Sequence, residues 1–219
     1  MAGDAAGLGR LGQGVSDRRP RILPTSLTGP SGILGNRDRE LKDLIDMLAA
    51  VDVHYFPDGA RAACLTFEGW DDSEPLGEHV AWLDTVEDYR PGQFWRRELP
   101  CLLEVLSRLA EPPSVLVIDG YVHLDPQGSP GLGAHLFDAL GGIVAIFGVA
   151  KTKFRRATQA REVLRHDSLR PLYVTSIGAD IESAASAVHR MAGPYRIPTL
   201  LKRVDQLARV GHPLRPAPK

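Results

Sequence analysis

Two aspartates each end a short apolar run, and their placement could support metal chemistry. Asp119 follows the apolar run 115–118 and precedes Gly120, and Asp52 follows a second apolar run over residues 47–51. A short run of this kind is typical of a buried parallel strand, and ligands bind at the carboxyl ends of such strands. We therefore expect the two carboxylates to meet at one end of a sheet, where they would form a metal site.

Each of these acids also has a structural interpretation. An aspartate at a strand end is often an N-cap or a turn residue whose carboxylate accepts hydrogen bonds from nearby backbone. Either acid considered alone favours this second interpretation, so the choice depends on the other motifs of the chain.

Composition predicts one domain with a sizeable core. The chain has 219 residues, of which 43% are hydrophobic, and a net charge of −1; a domain typically has about 100–200 residues. No apolar run approaches the ~18 residues that cross a bilayer, and the first residues do not resemble a signal peptide, so we expect a soluble, cytoplasmic monomer. Cys64 and Cys101 lie in apolar segments without CxxC spacing, which predicts buried thiols in a reducing compartment.

Charge is distributed unevenly along the chain. Residues 151–170 contain seven lysines and arginines against two acids, whereas acids collect between Asp71 and Asp88. A segregated basic tract can follow a phosphate backbone, although a solvated surface would show the same pattern.

The elements that must position the two acids follow from hydrophobic spacing and turn residues. Residues 1–36, rich in Gly, Arg and Pro, are predicted to form a disordered tail, followed by one domain over 37–210 and a second tail over 211–219. The spacing predicts a short helix or lead-in over 37–48, strands over 49–56, 61–68 and 78–86, a helix over 93–110, a strand over 115–118, a helix over 131–140, a strand over 143–147, a hairpin over 162–175, and helices over 180–192 and 199–209.

This order predicts an α/β domain with a mixed central sheet. Three antiparallel strands followed by alternating helices and parallel strands resemble the ribonuclease H-like fold. That resemblance implies one acid on the first strand and another at the end of the fourth, which are the places of Asp52 and Asp119.

Six motifs follow one another in a fixed order along the predicted domain. They lie at residues 51–56, 88–98, 117–120, 147–151, 171–174 and 194–198. Together they resemble the endonuclease V family, and the similarity covers about residues 48–205.

The resemblance implies a Mg²⁺-dependent endonuclease, with Mn²⁺ able to substitute, that hydrolyses a phosphodiester on the 3′ side of a deaminated purine in nucleic-acid repair. The substrate would be DNA containing deoxyinosine, with inosine in RNA as an alternative. Asp52, Glu98 and Asp119 would hold the metal, and Lys151 would stabilise transition-state charge. Glu98 could instead be an exposed helix acid paired with a neighbouring arginine, and Lys151 a solvated side chain.

The resemblance also implies a wedge and a base pocket. Tyr89, Arg90, Pro91 and Gly92 match a segment that inserts beside the deaminated base, where a tyrosine can stack; an ordinary loop tyrosine is the alternative. The pocket lining would come from Gly92, Phe94, Gly120, Leu132 and Phe154.

The sequence departs from the family pattern in two places. The pattern Asp-Gly-x-Gly-x-x-His-Pro has Val122 at its second glycine and Asp125 at its histidine, and the Gly-His pair that commonly follows the 171–174 motif is absent from residues 176–180. Asp125 or His123 could substitute as a ligand, although Asp125 and Asp180 also suit a turn or an N-cap. Val122 would place a branched side chain near a base edge. This change would weaken inosine specificity more than it would weaken nuclease chemistry.

Two other functions remain open on this evidence. The chain could be a catalytically impaired paralogue of the same fold, in which the wedge and the basic tract still bind nucleic acid. It could also be a structure-specific ribonuclease H-like nuclease. Mg²⁺-dependent cleavage would exclude the first, and a comparison of inosine-containing with unmodified or branched substrates would test the second.

Overall fold

The computed structural model describes residues 47–88 and 90–210, all within the compact unit Leu44–Lys219. The predicted segments at 1–36, 37–46 and 211–219, and the wedge residue Tyr89, lie outside the described residues. Within the described part, no helix is long and apolar enough to cross a membrane.

In the described part of the chain, seven strands form one mixed sheet. They are β1 Leu48–Phe56, β2 Gly59–Phe67, β3 Gly77–Leu83, β4 Val115–Ile118, β5 Ala145–Ala150, β6 Arg161–Val163 and β7 Leu172–Ile177, in the order β3-β2-β1-β4-β5-β7-β6. Four helices accompany them within residues 90–210: α1 Phe94–Leu106, α2 Leu132–Ala139, α3 Ile181–Arg190 and α4 Thr199–Arg209.

The strand directions agree with the predicted mixed sheet. The strands β1, β2 and β3 form an antiparallel meander, and β4 and β5 run parallel to β1. The predicted hairpin is the antiparallel pair β6–β7, and β7 is also antiparallel to β5. The pairing of β1 with β4 matches Val51 to Ile118, so Asp52 and Asp119 come next to each other where the parallel strands end.

The two faces of the sheet carry different helices. Ala49 and Val51 of β1 share a core layer with α1 and α2, whereas Leu48 and Ala50 share the opposite layer with α3 and α4. Because side chains alternate along a strand, Asp52 falls on the α3/α4 face.

A glycine accounts for the later end of β5. β5 spans 145–150 rather than 143–147, because Gly148 lies inside the strand and not after it. A Cβ at this position would come within 2.6 Å of both the Gly120 carbonyl and the Thr175 hydroxyl. The glycine therefore lets the Asp119-Gly120 turn approach β5, and Lys151 follows directly after the strand.

Two other elements are shorter than the sequence pattern indicates. β3 ends at Leu83 rather than at 86, and α1 ends at Leu106 rather than at 110. Residues 107–110 form turns, although Leu109 still packs against the core layer of α1 and α2. Helical spacing of leucines thus extended the predicted helix beyond the last helical residue.

Candidate active site at the carboxyl end of the sheet

Four carboxylates and one lysine come from five different parts of the fold. Asp52 lies on β1, and Asp119 lies in the turn that follows the adjacent strand β4. Glu98 projects from α1 on one face, Asp205 from α4 on the other, and Lys151 follows β5. The structure therefore brings together the four residues predicted for catalysis and adds Asp205.

Glu98 is a buried acid with an unused oxygen. Only 6% of the residue is exposed, and its Oε2 atom accepts no hydrogen bond from any described residue. Burial, followed by the charges of Asp52 and Asp119, raises the pKa of Glu98 to about 8, although Arg97 acts in the opposite direction. The alternative of an exposed surface acid does not fit this burial.

The buried position of Glu98 follows from the spacing on α1. The buried side chains of this helix include Cys101, Leu102 and Val105, which lie three, four and seven residues after Glu98. This spacing places all four on one helix face, and that face packs on the sheet.

Asp52 and Asp205 form a carboxyl pair on the α3/α4 face. The Val53 amide donates to Asp52 Oδ1 at 2.8 Å, yet burial, Asp119 and the hydrogen bond with Asp205 together raise the pKa of Asp52 to about 7. Arg209 donates to both oxygens of Asp205 at 2.9 Å, and these bonds lower the pKa of Asp205. The contacts therefore push the two pKa values apart, that of Asp52 upward and that of Asp205 downward.

Both the side chain and the backbone of Lys151 are held by hydrogen bonds. Its Nζ donates to Asp119 Oδ2 at 2.7 Å. Burial opposes the charge, but the hydrogen bond and charge of Asp119 outweigh it and raise the pKa of Lys151. Arg196 Nη2 donates to the carbonyls of Lys151 and Pro171, which ties the end of β5 to the segment before α4.

Carboxylate oxygens are ligands that suit a hard divalent cation, and Asp52, Glu98, Asp119 and Asp205 are the residues that could hold one. In residues 47–88 and 90–210, no three acid, histidine or cysteine side chains are already arranged as metal ligands. The Lys151–Asp119 ion pair occupies one carboxylate oxygen. The donor chemistry fits a cation, because the buried Glu98 Oε2 atom has no hydrogen-bond partner among the described residues and clustered carboxylates favour a nearby positive charge.

Asp205 was not predicted as a site residue, because it lies beyond the last of the six motifs, which ends at residue 198. A signal was nevertheless present. Leu201, Val204 and Ala208 recur at helical spacing, and Asp205 lies four residues after Leu201, inside that apolar stripe. An acid within the core-facing stripe of a short helix indicates a buried or functional carboxylate.

The proposed substitute ligands have other contacts. Asp125 accepts from the Ser129 amide at 2.9 Å and from Arg156 at 2.8 Å, and the Ser129 bonds lower its pKa. His123 forms an isolated bridge with Pro130. Both residues thus belong to this turn rather than to the carboxylate cluster. Asp180 accepts from the Ser183 amide at 2.9 Å, which confirms it as an N-cap.

The structure places Val122 differently from the expectation. Its side chain is fully buried in the core, its amide donates to the Thr175 hydroxyl at 2.9 Å, and a Cβ at Gly133 would lie 2.8 Å from its Cγ2 atom. Val122 therefore packs against α2 and does not face a base edge.

The predicted pocket residues lie around the N-terminal ends of α1 and α2. Phe94 begins α1 and Leu132 begins α2, and the stacked rings of Trp95 and His135, 3.8 Å apart, join the two helices. On the other side of the turn, Tyr121 accepts from the Phe154 amide at 2.9 Å and donates to the Thr152 carbonyl at 2.8 Å. Phe94 and Phe154 both remain partly exposed.

The loop before α1 holds the described part of the predicted wedge. The Gln93 amide donates to the Arg90 carbonyl at 3.0 Å, which closes a turn over Pro91 and Gly92. Gly92 has a φ of +76°, a conformation that favours glycine. Arg90, Pro91 and Gly92 are exposed and are free to meet a ligand.

The basic tract is only partly available to a phosphate backbone. Arg155 and Arg156 are exposed, and Lys153 pairs with Glu162 at 2.8 Å. Arg165 is buried and donates to the carbonyls of Met191 and Gly193 near the end of α3. Four of the six exposed basic residues of the tract are therefore already paired with acids, and these four are Lys151, Lys153, Arg156 and Arg161.

Known proteins share this chain's sequence and fold. A family model described as Endonuclease V matches residues 34–206. Endonuclease V of Xanthomonas campestris pv. campestris (strain 8004) is 38% identical over 109 residues, which are 49% of this chain and 44% of that relative. The matched region thus spans less than half of the relative's length.

Two solved structures show the same fold. Endonuclease V from Streptomyces avermitilis has a TM-score of 0.64 and 24% identity, covering 80% of this chain and 91% of that chain. Endonuclease V from Ciona intestinalis, in complex with a 23mer DNA containing an inosine followed by a ribo-adenosine, has a TM-score of 0.65 and 16% identity, covering 76% and 85%. The fold is ribonuclease H-like, as predicted, and since the family model covers most of the sequence, the chain belongs to the endonuclease V family.

Proposed function

We propose that this protein is a divalent-metal-dependent endonuclease that hydrolyses a phosphodiester on the 3′ side of a deaminated purine, chiefly deoxyinosine in DNA. The observation that carries the proposal is the convergence of Asp52, Glu98, Asp119 and Asp205 where the pairing of β1 with β4 ends. The family assignment supports the same activity.

Asp52, Glu98 and Asp119 would hold Mg²⁺ or Mn²⁺, with Asp205 available as a further ligand. Such a cation would polarise the scissile phosphate and lower the pKa of the attacking water. Asp119 and Asp205 are paired with Lys151 and Arg209, whereas the buried Glu98 Oε2 atom has no partner among the described residues, and burying a carboxylate without a positive partner is costly.

Lys151 and Asp205 would perform the steps that belong to the protein alone. The Lys151 ammonium stabilises negative charge on the phosphate as the bond breaks, and the Arg196 contacts to its backbone hold it in place. Asp205 is kept ionised by Arg209, so it can orient the attacking water or accept its proton.

Base recognition would use the exposed loops at the start of α1 and after β5. Phe94 and Phe154 present partly exposed rings, and the turn over Pro91 and Gly92, just before Phe94, is also exposed. The Ciona relative was solved with DNA that contains an inosine, which supports a deaminated purine as the recognised base. Val122 does not oppose this assignment, because its side chain is in the core.

Cleavage of a labelled single-stranded oligonucleotide with one inosine tests the proposal. We expect one cut on the 3′ side of the inosine in Mg²⁺ and in Mn²⁺, no cut in EDTA, and no cut of the unmodified control. Asp119→Asn should abolish cleavage and retain binding. Cleavage of the same sequence made as RNA shows whether the protein prefers DNA or RNA as its substrate.

Other outcomes would replace the proposal. Equal cleavage of the inosine oligonucleotide and the unmodified control would indicate a nuclease without base specificity. Binding without cleavage in either metal would instead identify the catalytically impaired paralogue.

A further inference from the structure

A groove next to the carboxylates lies on the α3/α4 face, opposite the helices that carry the predicted base pocket. It has a volume of about 300 Å³, which is within the range of small-ligand sites. We call it the downstream groove. Its lining includes Lys151, Tyr195, Ile197, Leu201, Lys202 and Asp205.

The segment before α4 gives the groove its aromatic wall. Arg196 turns inward and donates to the carbonyls of Lys151 and Pro171, and its neighbour Tyr195 remains 69% exposed. A large aromatic ring at that exposure buries little of its surface in the protein itself. It therefore offers a flat face to a ligand.

The chemistry of the groove suits a single nucleic-acid strand. Ile197 and Leu201 contribute apolar lining, and Lys151 and Lys202 contribute positive charge. The Lys151 ammonium is paired with Asp119, which leaves Lys202 as the cation for a phosphate. An aromatic ring for stacking beside a positive charge for a phosphate is the combination by which proteins bind single strands.

The position of the groove fixes which part of a substrate could reach it. Phe94 and Leu132 of the base pocket begin α1 and α2, on one face of the sheet, and the groove is bounded by α4 on the other. The carboxylates lie between them. A strand whose deaminated base enters the pocket and whose 3′ phosphodiester reaches the carboxylates would continue towards the groove.

We propose that the downstream groove binds the nucleotides on the 3′ side of the cleaved bond, with a base stacked on Tyr195 and a phosphate paired with Lys202. The proposal rests on the proposed function, because cleavage 3′ of the damaged base is what assigns the downstream strand to this side. The groove would hold the leaving strand in line with the carboxylates.

Two inosine substrates that differ in their 3′ length test the groove. One ends a single nucleotide beyond the cut and the other continues for six, and kcat/KM is measured for each. Loss of base stacking typically weakens binding by about 5- to 150-fold. We therefore expect the wild-type protein to prefer the long substrate at least tenfold, and Tyr195→Ala or Lys202→Ala to reduce that ratio at least fivefold.

Two variants serve as controls, and a binding assay tests the groove without cleavage. Tyr195→Phe keeps the ring and should keep the preference, and Arg108→Gln removes a half-exposed charge that pairs with Glu104 just after α1. A 5′-phosphorylated hexanucleotide identical to the downstream product should bind wild type in EDTA, measured by fluorescence anisotropy, and at least fivefold more weakly to Tyr195→Ala.

The two proposals fail in different ways. A wild-type protein that cuts no inosine substrate of either length overturns the proposed function. An active wild type with no length preference, or one whose preference survives in Tyr195→Ala, overturns the groove and leaves the nuclease in place.

Discussion

Replacing Glu98 by glutamine should stabilise the metal-free protein at alkaline pH. Glu98 is buried among other acids, and one of its oxygens has no partner in the described part of the chain. Glutamine has nearly the same shape and no charge. The substitution therefore removes the electrostatic cost of the site without creating a cavity.

The size of the effect follows from proton linkage. The pKa of Glu98 rises from its ordinary value of 4.5 to about 8, and each pKa unit corresponds to about 1.4 kcal/mol. Between these two values the folded protein holds a proton that the unfolded chain has lost, so the free energy of unfolding falls as pH rises. Above pH 8 the loss reaches up to about 5 kcal/mol, and Glu98→Gln avoids it.

Urea unfolding in EDTA at pH 5, 6.5 and 8.5 measures this difference. We expect Glu98→Gln and wild type to be similar at pH 5 and to separate progressively as the pH rises. Glu104→Gln is the matched control, because Glu104 lies on the same helix, is half exposed and pairs only with Arg108. Its loss should be at most about 0.5 kcal/mol at every pH.

Metal provides the second arm of this test. A ligand that binds only the folded state stabilises it in proportion to the logarithm of its concentration. Mn²⁺ should therefore raise the midpoint of wild type at pH 8.5 and raise that of Glu98→Gln much less. Parallel pH profiles for the two proteins in EDTA would show that Glu98 is ionised and satisfied without metal, and would refute this account of the site.

Four further substitutions probe the remaining assignments. Asp205→Asn should reduce cleavage at least 100-fold while oligonucleotide binding in EDTA persists, and near-normal cleavage would remove Asp205 from the site. Arg196→Gln should lower kcat about tenfold through Lys151, because it breaks the bonds to the carbonyls of Lys151 and Pro171; a change in KM alone would contradict this. Gly133→Ala should cost about 1–3 kcal/mol in urea unfolding, because its Cβ meets Val122, and Val122→Ala should restore part of the loss. Asp125→Asn should keep cleavage within a few-fold, and complete loss would show that Asp125 is a ligand after all.

The parts of the fold that could be predicted are those with one dominant local signal. The runs before Asp52 and Asp119 are buried on both faces, so their apolar composition alone indicated parallel strands. The short turn over Pro57 and Asp58 lies between the predicted strands 49–56 and 61–68 and indicated a hairpin. In the structure, β1 and β2 form this hairpin.

The parts that were missed depend on tertiary contacts. Gly148 gave no local sign that it lies inside β5, because its place depends on the approach of Gly120. Arg165 counted toward the basic tract, yet the carbonyls at the end of α3 bury it. The apolar stripe of the last helix marks Asp205 as an inward-facing acid, but its position beside Asp52 depends on the packing of that helix against β1, which no pattern within residues 199–209 contains.

The departures from the family pattern fall on the scaffold of the site and leave its carboxylates in place. Val122 occupies the core next to Gly133, and Asp125 is used by Ser129 and Arg156 to hold the turn. Neither position therefore withdraws a group from Asp52, Glu98 or Asp119. The absent histidine after β7 also does not leave the α3/α4 face without a polar group, since Asp205 reaches Asp52 from α4. Catalysis should consequently depend on Asp205 and tolerate substitution of Asp125, and the contrast between these two variants separates an intact nuclease from an impaired one.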